Sequence, residues 1–484
     1  MFSGLHLLDR LPTRLVKDEF TTHTDPFVLE ALSYFSSPGD LSILENWSKS
    51  YYTLDAHMQS IYKYNKTLVS EPSTTEWSTV LTESFEYFRT LPKVTVMSAK
   101  TDFDNVRYRQ STSAGYGYTS NFPPYPSHKG VPHGPNHTRA KRISSSIVRR
   151  CLSEHNSGNF QQFLSTLAQD STPDVAFTRT QLAELPSTKV RNVFGECFHY
   201  VILEGLIAQP LIDAFMQLDS FYYIGEDPLI GIPQLINNLS DDEKCSYVTL
   251  DWSTFDSSVQ PYEIELAFDL IRSMITFPDL ETRLVFDYVR TLFLSRKILA
   301  PDGQLFLRYG GIPSGSYFTH MVDSIINWIR IKYLFKRINV TPTFLKTHGD
   351  DSLIVIETMF HSLQPLVEEA NLNHWPLKPE KIALVRDKSE IEFLGRSISN
   401  LVNYRDPIKC FRLMVYTEYP VEDPQISIAR VKAIFTDSGL TLPYATEIYN
   451  FLKIKYEDRN LPLPAQFQQF RHTETHNDTL PVSI

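Results

Sequence analysis

The stretch TFLKTHGDDSLIVI (343–356) reads as two β-strands folded back on each other at Gly349-Asp350-Asp351. Apolar and β-branched residues flank the turn, and Gly-Asp pairs favour tight hairpins. Upstream, CSYVTLD (245–251) reads as another strand that ends on Asp251. If these strands are neighbours, three carboxylates meet at one end of a sheet. Mg2+ takes oxygen ligands and leaves positions for substrate phosphates. Two such ions, about 3.5–4 Å apart, activate a hydroxyl nucleophile and stabilise a leaving oxygen. Asp251, Asp350 and Asp351 are the expected catalytic acids and metal ligands. Gly-Asp-Asp by itself is an ordinary turn, and Asp251 by itself would serve as a helix N-cap. Only their combination carries the assignment.

Working outward, PYEIELAFDLIRSMI (261–275) places Ile264, Phe268, Ile271 and Ile275 on one helical face, with Pro261 in the first turn. KILAPDGQLFL (297–307) is a strand, a Pro-Asp-Gly turn and a strand. SYFTHMVDSIINWIRIKYLF (316–335) is a long helix after a Gly-rich loop, with Phe318, Met321, Ile325 and Trp328 as core. A helix near 360–371 precedes EIEFLGRSI (390–398), a strand pair. Residues 27–90 read as mostly helical with a break near 70–75, 111–138 as a long ordered loop, and 143–169 as helical. Residues 173–195 read as loop and strand, 197–218 as a helix pair broken by Pro210, and 405–484 as helical with a polar tail. The pattern predicts an α+β fold, an antiparallel sheet covered by helices on one face.

The chain has 484 residues, enough for two or three subdomains, and its 42% hydrophobic content supports a large core. The net charge of −10 argues at first against a nucleic-acid partner, but the distribution of charge matters more than the sum. Residues 105–153 hold no Asp or Glu, yet contain Arg107, Arg109, Lys129, Arg139, Lys141, Arg142, Arg149 and Arg150. Cys151, Cys197, Cys245 and Cys410 are far apart, which fits a reducing compartment and no zinc site. The N-terminal segment has no signal-peptide pattern, and no apolar run is long enough to predict a membrane span.

Six segments lie in a fixed order: STSAGYGY (111–118), STKVRNVFGE (187–196), DWSTFD (251–256), GGIPSGSYFTHMVDSIINW (310–328), HGDDSL (348–353) and EFLGR (392–396). They resemble motifs G, F, A, B, C and E of the viral RNA-dependent RNA polymerases, most closely those of partitiviruses, which have double-stranded RNA genomes. The resemblance implies a closed right hand of fingers, palm and thumb, with an antiparallel palm sheet backed by helices. It divides the chain into an N-terminal helical extension bridging fingers and thumb (1–95), fingers (96–244), palm with motif A (245–275), a fingers insertion (276–309), palm with motifs B to E (310–400), and thumb with tail (401–484).

The same resemblance implies the residue roles. Asp251 and Asp350 bind Mg2+, with Mn2+ tolerated, and Asp351 is a weaker ligand. Asp256 senses the ribose 2′-hydroxyl, the group that separates RNA from DNA substrates. Ser314, Gly315 and Thr319 fit motif B, while Asp323 stands where many relatives have Asn; either Asp323 or Asn327 completes ribose recognition. Lys189 and Arg191 hold the incoming triphosphate. In LKPEKIAL (377–384), Lys378 and Lys381 are candidates for the general acid that protonates pyrophosphate, and the distance to FLGR favours Lys381. Ser113, Gly115 and Tyr116 lie at the template entrance; Lys129, Arg139, Lys141 and Arg142 track template phosphates, with Tyr116, Tyr118 and Tyr125 available to stack on bases. Arg396 touches the primer strand. The implied partners are RNA, nucleoside triphosphates and a viral capsid protein, without a membrane, inside a virion in the host cytoplasm.

Three other readings compete. A catalytically silent polymerase-like RNA-binding protein would have lost some metal and phosphate residues, and all are present. A reverse transcriptase is disfavoured by Asp256 and by the Gly before Asp350-Asp351. A two-metal nuclease lacks its usual His-rich ligands and leaves motif B without a role.

Overall fold

The computed structural model describes residues 4–12, 17–37, 39–109, 112–118, 136–358, 360–399 and 402–470. Its central sheet has four antiparallel strands in the order Phe344–His348, Asp351–Ile356, Ser246–Thr249, Ala383–Val385. The first two form the expected hairpin, with His348 opposite Asp351. Ile354 and Ile356 join a large core that contains helices Pro261–Met274 and Thr319–Arg337. Leu353 and Val355 point the other way, into a second core built by helix Pro228–Asn237 and by Ile391, Phe393 and Ile398. This corrects the expectation of one covered face. The unbroken apolar run Leu353–Ile356 is what burial on both faces demands, since successive side chains alternate sides.

A second sheet has five strands in the order Leu5–Arg10, Gln304–Tyr309, Ser295–Leu299, Asp174–Thr180, Val190–Gly195. Its Ser295–Leu299 and Asp174–Thr180 strands run parallel, and its other pairs antiparallel. The 297–307 hairpin was legible, but the N-terminal strand was not. Leu5 pairs with Arg308 across the length of most of the chain.

Four helices begin with Asp-Pro: Asp25-Pro26, Asp227-Pro228, Asp406-Pro407 and Asp423-Pro424. In each, the Asp side chain accepts a first-turn backbone N–H, while proline at the first helical position gives up an N–H that would go unpaired anyway. Pro210 behaves differently. It lies inside one continuous helix, Phe198–Phe215, rather than between two. Proline withholds the N–H that residue 206 would otherwise accept. The Met97 N–H donates to Leu206 O instead, at 3.0 Å, so the carbonyl is satisfied and the helix persists.

Helix Pro26–Phe35 is built into the C-terminal helices Pro407–Val415, Pro424–Asp437 and Ala445–Tyr456 through Val28, Ala31 and Leu32. Further along, Met58, Ile61 and Tyr64 pack under the five-stranded sheet. Residues 17–64 thus run from the C-terminal helices to that sheet. Helix Thr75–Thr90 sets Trp77 against Tyr262, Tyr333 and Trp375 beside the central sheet. Among the described residues no helix is long and apolar enough to cross a membrane.

Asp25 is fully buried, accepts from Ser427 Oγ at 2.7 Å, and pairs with the buried Arg430. Removing one partner of a buried pair leaves a charge without compensation. Asp25→Ala is expected to destabilise the protein by about 3–5 kcal/mol, read as a fall in the urea denaturation midpoint. An unchanged midpoint would show that Arg430 finds another counter-ion.

Candidate active site

The strand Ser246–Thr249 lies between Asp351–Ile356 and Ala383–Val385. Its register sets Val248 opposite Ile354. Continued along both strands, that pairing brings Asp251 level with Asp351, so the acids read from two distant segments converge. Gly349 enters the turn at φ +61°, a backbone conformation that favours glycine. Asp350 and Asp351 are exposed at the mouth of the site, yet their carboxyls sit in a dense surround of protein. This desolvation, with repulsion from Asp256 and Asp251, pushes the Asp350 carboxyl up to about 6. Desolvation, Asp350 and Asp251 push Asp351 up to about 7. Arg191 opposes both shifts.

Cations approach from the turn that leads into the neighbouring strand Ala383–Val385. Lys378 Nζ pairs with Asp251 Oδ1, and Lys381 Nζ lies 3.6 Å from Oδ2. The Lys378 N–H also donates to the Asp251 carbonyl at 2.9 Å. Burial, followed by Lys381, Lys409 and Lys378, depresses the Lys189 ammonium. Lys189 and Lys381 therefore belong to one cluster. Lys378, weighed below Lys381 in the sequence, makes the closer contact with Asp251. Lys409, from helix Pro407–Val415, was missed, and nothing local to its sequence marks it.

Among the described residues, no three His, Cys, Asp or Glu side chains are already gathered as a ligand set. Asp251 is instead held by lysines. The donor chemistry nonetheless fits a hard divalent cation: the acids are oxygen donors, and their raised values mark a cluster short of positive charge.

Beside the acids, Ser314 Oγ donates to Asp256 Oδ2. The 310–316 loop is clamped by backbone bonds, with Ile312 N–H to Asp256 O and Phe194 N–H to Ser314 O, each at 2.8 Å. The buried Arg308 guanidinium donates to Gly310 O at 2.8 Å and Gly311 O at 2.6 Å. Tyr64 OH donates to Ile312 O at 2.9 Å. A Cβ at Gly315 would lie 2.2 Å from Phe194 O, so any larger residue would force the loop off the strand. Thr319 Oγ1 donates to Pro313 O at 2.7 Å and is spent holding the loop.

The two candidates for ribose recognition separate. Asp323 is buried, and Oδ1 has no hydrogen-bond partner. Burial, with Asp256 and Asp350, holds its carboxyl well above the usual range. Asn327 is completely buried and bonded at both ends, to Trp252, Gly349 and Asp351, which leaves it no access to a nucleotide.

Several expected RNA contacts are corrected. Tyr116 is a core residue, 2% exposed. Tyr118 is buried as well, bonded to His199 Nδ1 at 2.9 Å, so neither ring stacks on a base. Arg139 is buried with its guanidinium over the Tyr118 ring. Lys141 pairs with Asp104 in a solvent-exposed contact that does not withdraw it from the surface. Arg396 is buried and donates to Asn403 Oδ1 at 3.1 Å and to Asp437, tying the end of one C-terminal helix to the strand pair Ser397–Ser399 and Val402–Tyr404 rather than facing a primer. Ser113 and Arg142 are exposed, whereas Gly115 is buried, with Glu196 O 2.6 Å from where a Cβ would sit. Lys129 and Tyr125 lie outside the described residues.

Comparison with known proteins gives a consistent result. The family model "Viral RNA-dependent RNA polymerase" matches residues 40–453. The RNA-directed RNA polymerase of Cryptosporidium parvum virus 1 is 34% identical over 116 residues, 23% of this chain and 22% of that protein. That of White clover cryptic virus 1 is 24% identical over 242 residues, 43% of this chain and 39% of that protein. The matched stretch thus spans well under two thirds of either relative. The crystal structure of a human picorbirnavirus RNA-dependent RNA polymerase superposes with a TM-score of 0.63 at 16% identity, covering 90% of this chain and 84% of that one. That likeness supports the right-hand polymerase fold. With the family model spanning nearly every element that builds the carboxylate turn, the clamped loop and the lysine cluster, the chain belongs to the viral RNA-dependent RNA polymerase family.

Proposed function

We propose that this protein copies RNA from an RNA template by two-metal nucleotidyl transfer, in a double-stranded RNA virus of partitivirus type. The observation that carries the reading is the convergence of Asp251, Asp350 and Asp351 at one sheet end, with Asp256, Ser314 and Asp323 near Asp350 and Lys189, Lys378 and Lys381 near Asp251. Asp251 and Asp350 would hold the cations, with Asp351 in support. Bound there, Mg2+ or Mn2+ lowers the cost of a 3′-alkoxide and of the charge on leaving pyrophosphate. Lys189 and Arg191 orient the triphosphate. Lys378 or Lys381, released from Asp251, supplies a proton to pyrophosphate. Asp256, which accepts from Ser314, and Asp323 read the ribose.

In this reading residues 96–244 and 276–309 are fingers, 245–275 and 310–400 palm, and 401–484 thumb, with residues 1–95 bridging fingers to thumb. Ser113, Lys129, Lys141 and Arg142 remain the candidates for template contact. The partners are RNA, nucleoside triphosphates and a capsid protein, and the setting is the virion in host cytoplasm. Nothing favours the silent RNA-binding reading.

The test is incorporation of labelled nucleotides on single-stranded RNA with Mg2+ or Mn2+, beside the same reaction with deoxynucleotides. RNA-dependent product with poor deoxynucleotide use is expected. Asp256→Ala should lower that sugar discrimination by about tenfold to a hundredfold, since a site loses selectivity with the bond that reads the hydroxyl. Normal RNA binding with no incorporation in any condition would sink the enzyme reading.

A further inference from the structure

Helix Thr319–Arg337 presents two polar side chains, one turn apart, to the turn that carries Asp350. Ser324 Oγ accepts the Gly349 N–H at 2.8 Å and donates to His320 O at 2.7 Å. Asn327 Nδ2 donates to Gly349 O at 3.0 Å and to Asp351 O at 3.1 Å, the carbonyls on either side of Asp350. Asn327 Oδ1 accepts from Trp252 Nε1 at 2.9 Å. Trp252 directly follows Asp251 in the chain. One side chain therefore spans the two segments whose carboxylates face each other.

The chemistry fixes which way this amide points. Two carbonyls can only accept and an indole N–H can only donate, so the amide nitrogen must face the turn and its oxygen the tryptophan. Few residues offer two donors and an acceptor in so short a side chain. Asn327 is completely buried, with no water to substitute for a lost partner.

We propose that Asn327 is a positioning residue that sets the spacing of Asp350 against Asp251 through Trp252, and thereby the affinity of the site for divalent cation. The proposal rests on the metal reading above. Asn327 itself touches neither metal nor nucleotide. It holds the backbone from which one carboxylate projects and the side chain next to the other.

The test uses the full-length protein and follows Mn2+ binding by loss of the free-ion electron paramagnetic resonance signal. Alongside it runs the Mg2+ midpoint of RNA synthesis, with thermal melting as a fold control. Asn327→Asp keeps the shape and the acceptor but loses both donors. Trp252→Phe removes the indole N–H together with part of the buried ring volume and keeps an aromatic ring in place, and the thermal melt reads the packing loss separately. Trp252→Phe should weaken Mn2+ binding about two- to tenfold, the range for one buried hydrogen bond. Asn327→Asp should weaken it tenfold or more, roughly the loss of two. In both, the Mg2+ midpoint should rise with an unchanged KM for nucleotides. Folded variants that bind Mn2+ like the wild type overturn the proposal. If Asn327→Asp fails to fold, Trp252→Phe decides alone by the same criterion. A wild type that binds no Mn2+ would instead overturn the metal reading itself, and with it this role.

Discussion

Asp350→Asn is expected to lower RNA synthesis by roughly 10^3-fold or more, about 4 kcal/mol of transition-state stabilisation, without lowering the melting temperature. The two halves of this outcome have different causes. Activity falls because a carboxylate that should hold a metal becomes a neutral amide. Stability holds because Asp350 sits among Asp251, Asp256 and Asp351, and desolvation with that repulsion already holds its carboxyl up at about 6. Its ionised form is a burden to the metal-free fold, and asparagine removes the charge while keeping the shape. Steady-state incorporation and a thermal melt on the same preparation check both. Activity within tenfold of wild type would end the metal assignment of Asp350. A sharp loss of melting temperature would show instead that the residue is structural.

Arg296→Met should have the opposite profile, with stability failing first. Arg296 is 1% exposed and bonds three buried acids: Asp174 at 3.2 Å, Glu204 at 3.1 Å, and Glu196. Burial already raises Asp174 and Glu196 above the usual carboxylate range even with the arginine present. Without it, three acids are left in the core with no cation. A loss of about 5 kcal/mol is expected, the upper end for breaking a buried pair, read as a collapse of the urea midpoint. Glu204 also accepts from Ser316 Oγ at 2.6 Å and the Tyr317 N–H at 2.9 Å. The 310–316 loop should consequently become sensitive to protease. Arg296→Lys keeps the charge but lacks the planar fork needed to reach all three acids, so it should restore only part of the loss. Wild-type stability in Arg296→Met would show that the acids fold neutral and need no cation.

The central hairpin and its acids were legible because turn chemistry and carboxylate placement are local. Gly349 needs only its neighbours to announce itself. The same holds for the 297–307 hairpin and for the helix carrying motif B. What escaped was decided by partners far away in sequence. Arg396 and Arg139 look like surface cations until Asp437 and Tyr118 are found beside them. Tyr116 lies in a segment that reads as a long ordered loop at the template entrance, yet the protein core closes over it. Pro210 reads as a helix break because its remedy, the Met97 N–H, comes from a segment more than a hundred residues earlier. Asn327 was legible as important but not as to task. Its spacing placed it near a ribose, whereas its bonds face the protein on every side.

The placement of helix Pro26–Phe35 among the C-terminal helices also has a temporal side. Asp25 and Arg430 are 405 positions apart. A ribosome adds about 5–20 residues per second, so this segment emerges on the order of 20–80 s before its partner exists. During that interval Val28, Ala31 and Leu32, all buried in the finished molecule, lack the C-terminal helices that cover them. The strand Leu5–Arg10 waits as well, until Gln304–Tyr309 is made. Contacts this distant make folding slow and expose the early chain to aggregation. A segment made this long before its partners is thus among the last to find its place, and a nascent-chain chaperone that shields it is what productive synthesis of this protein should depend on most.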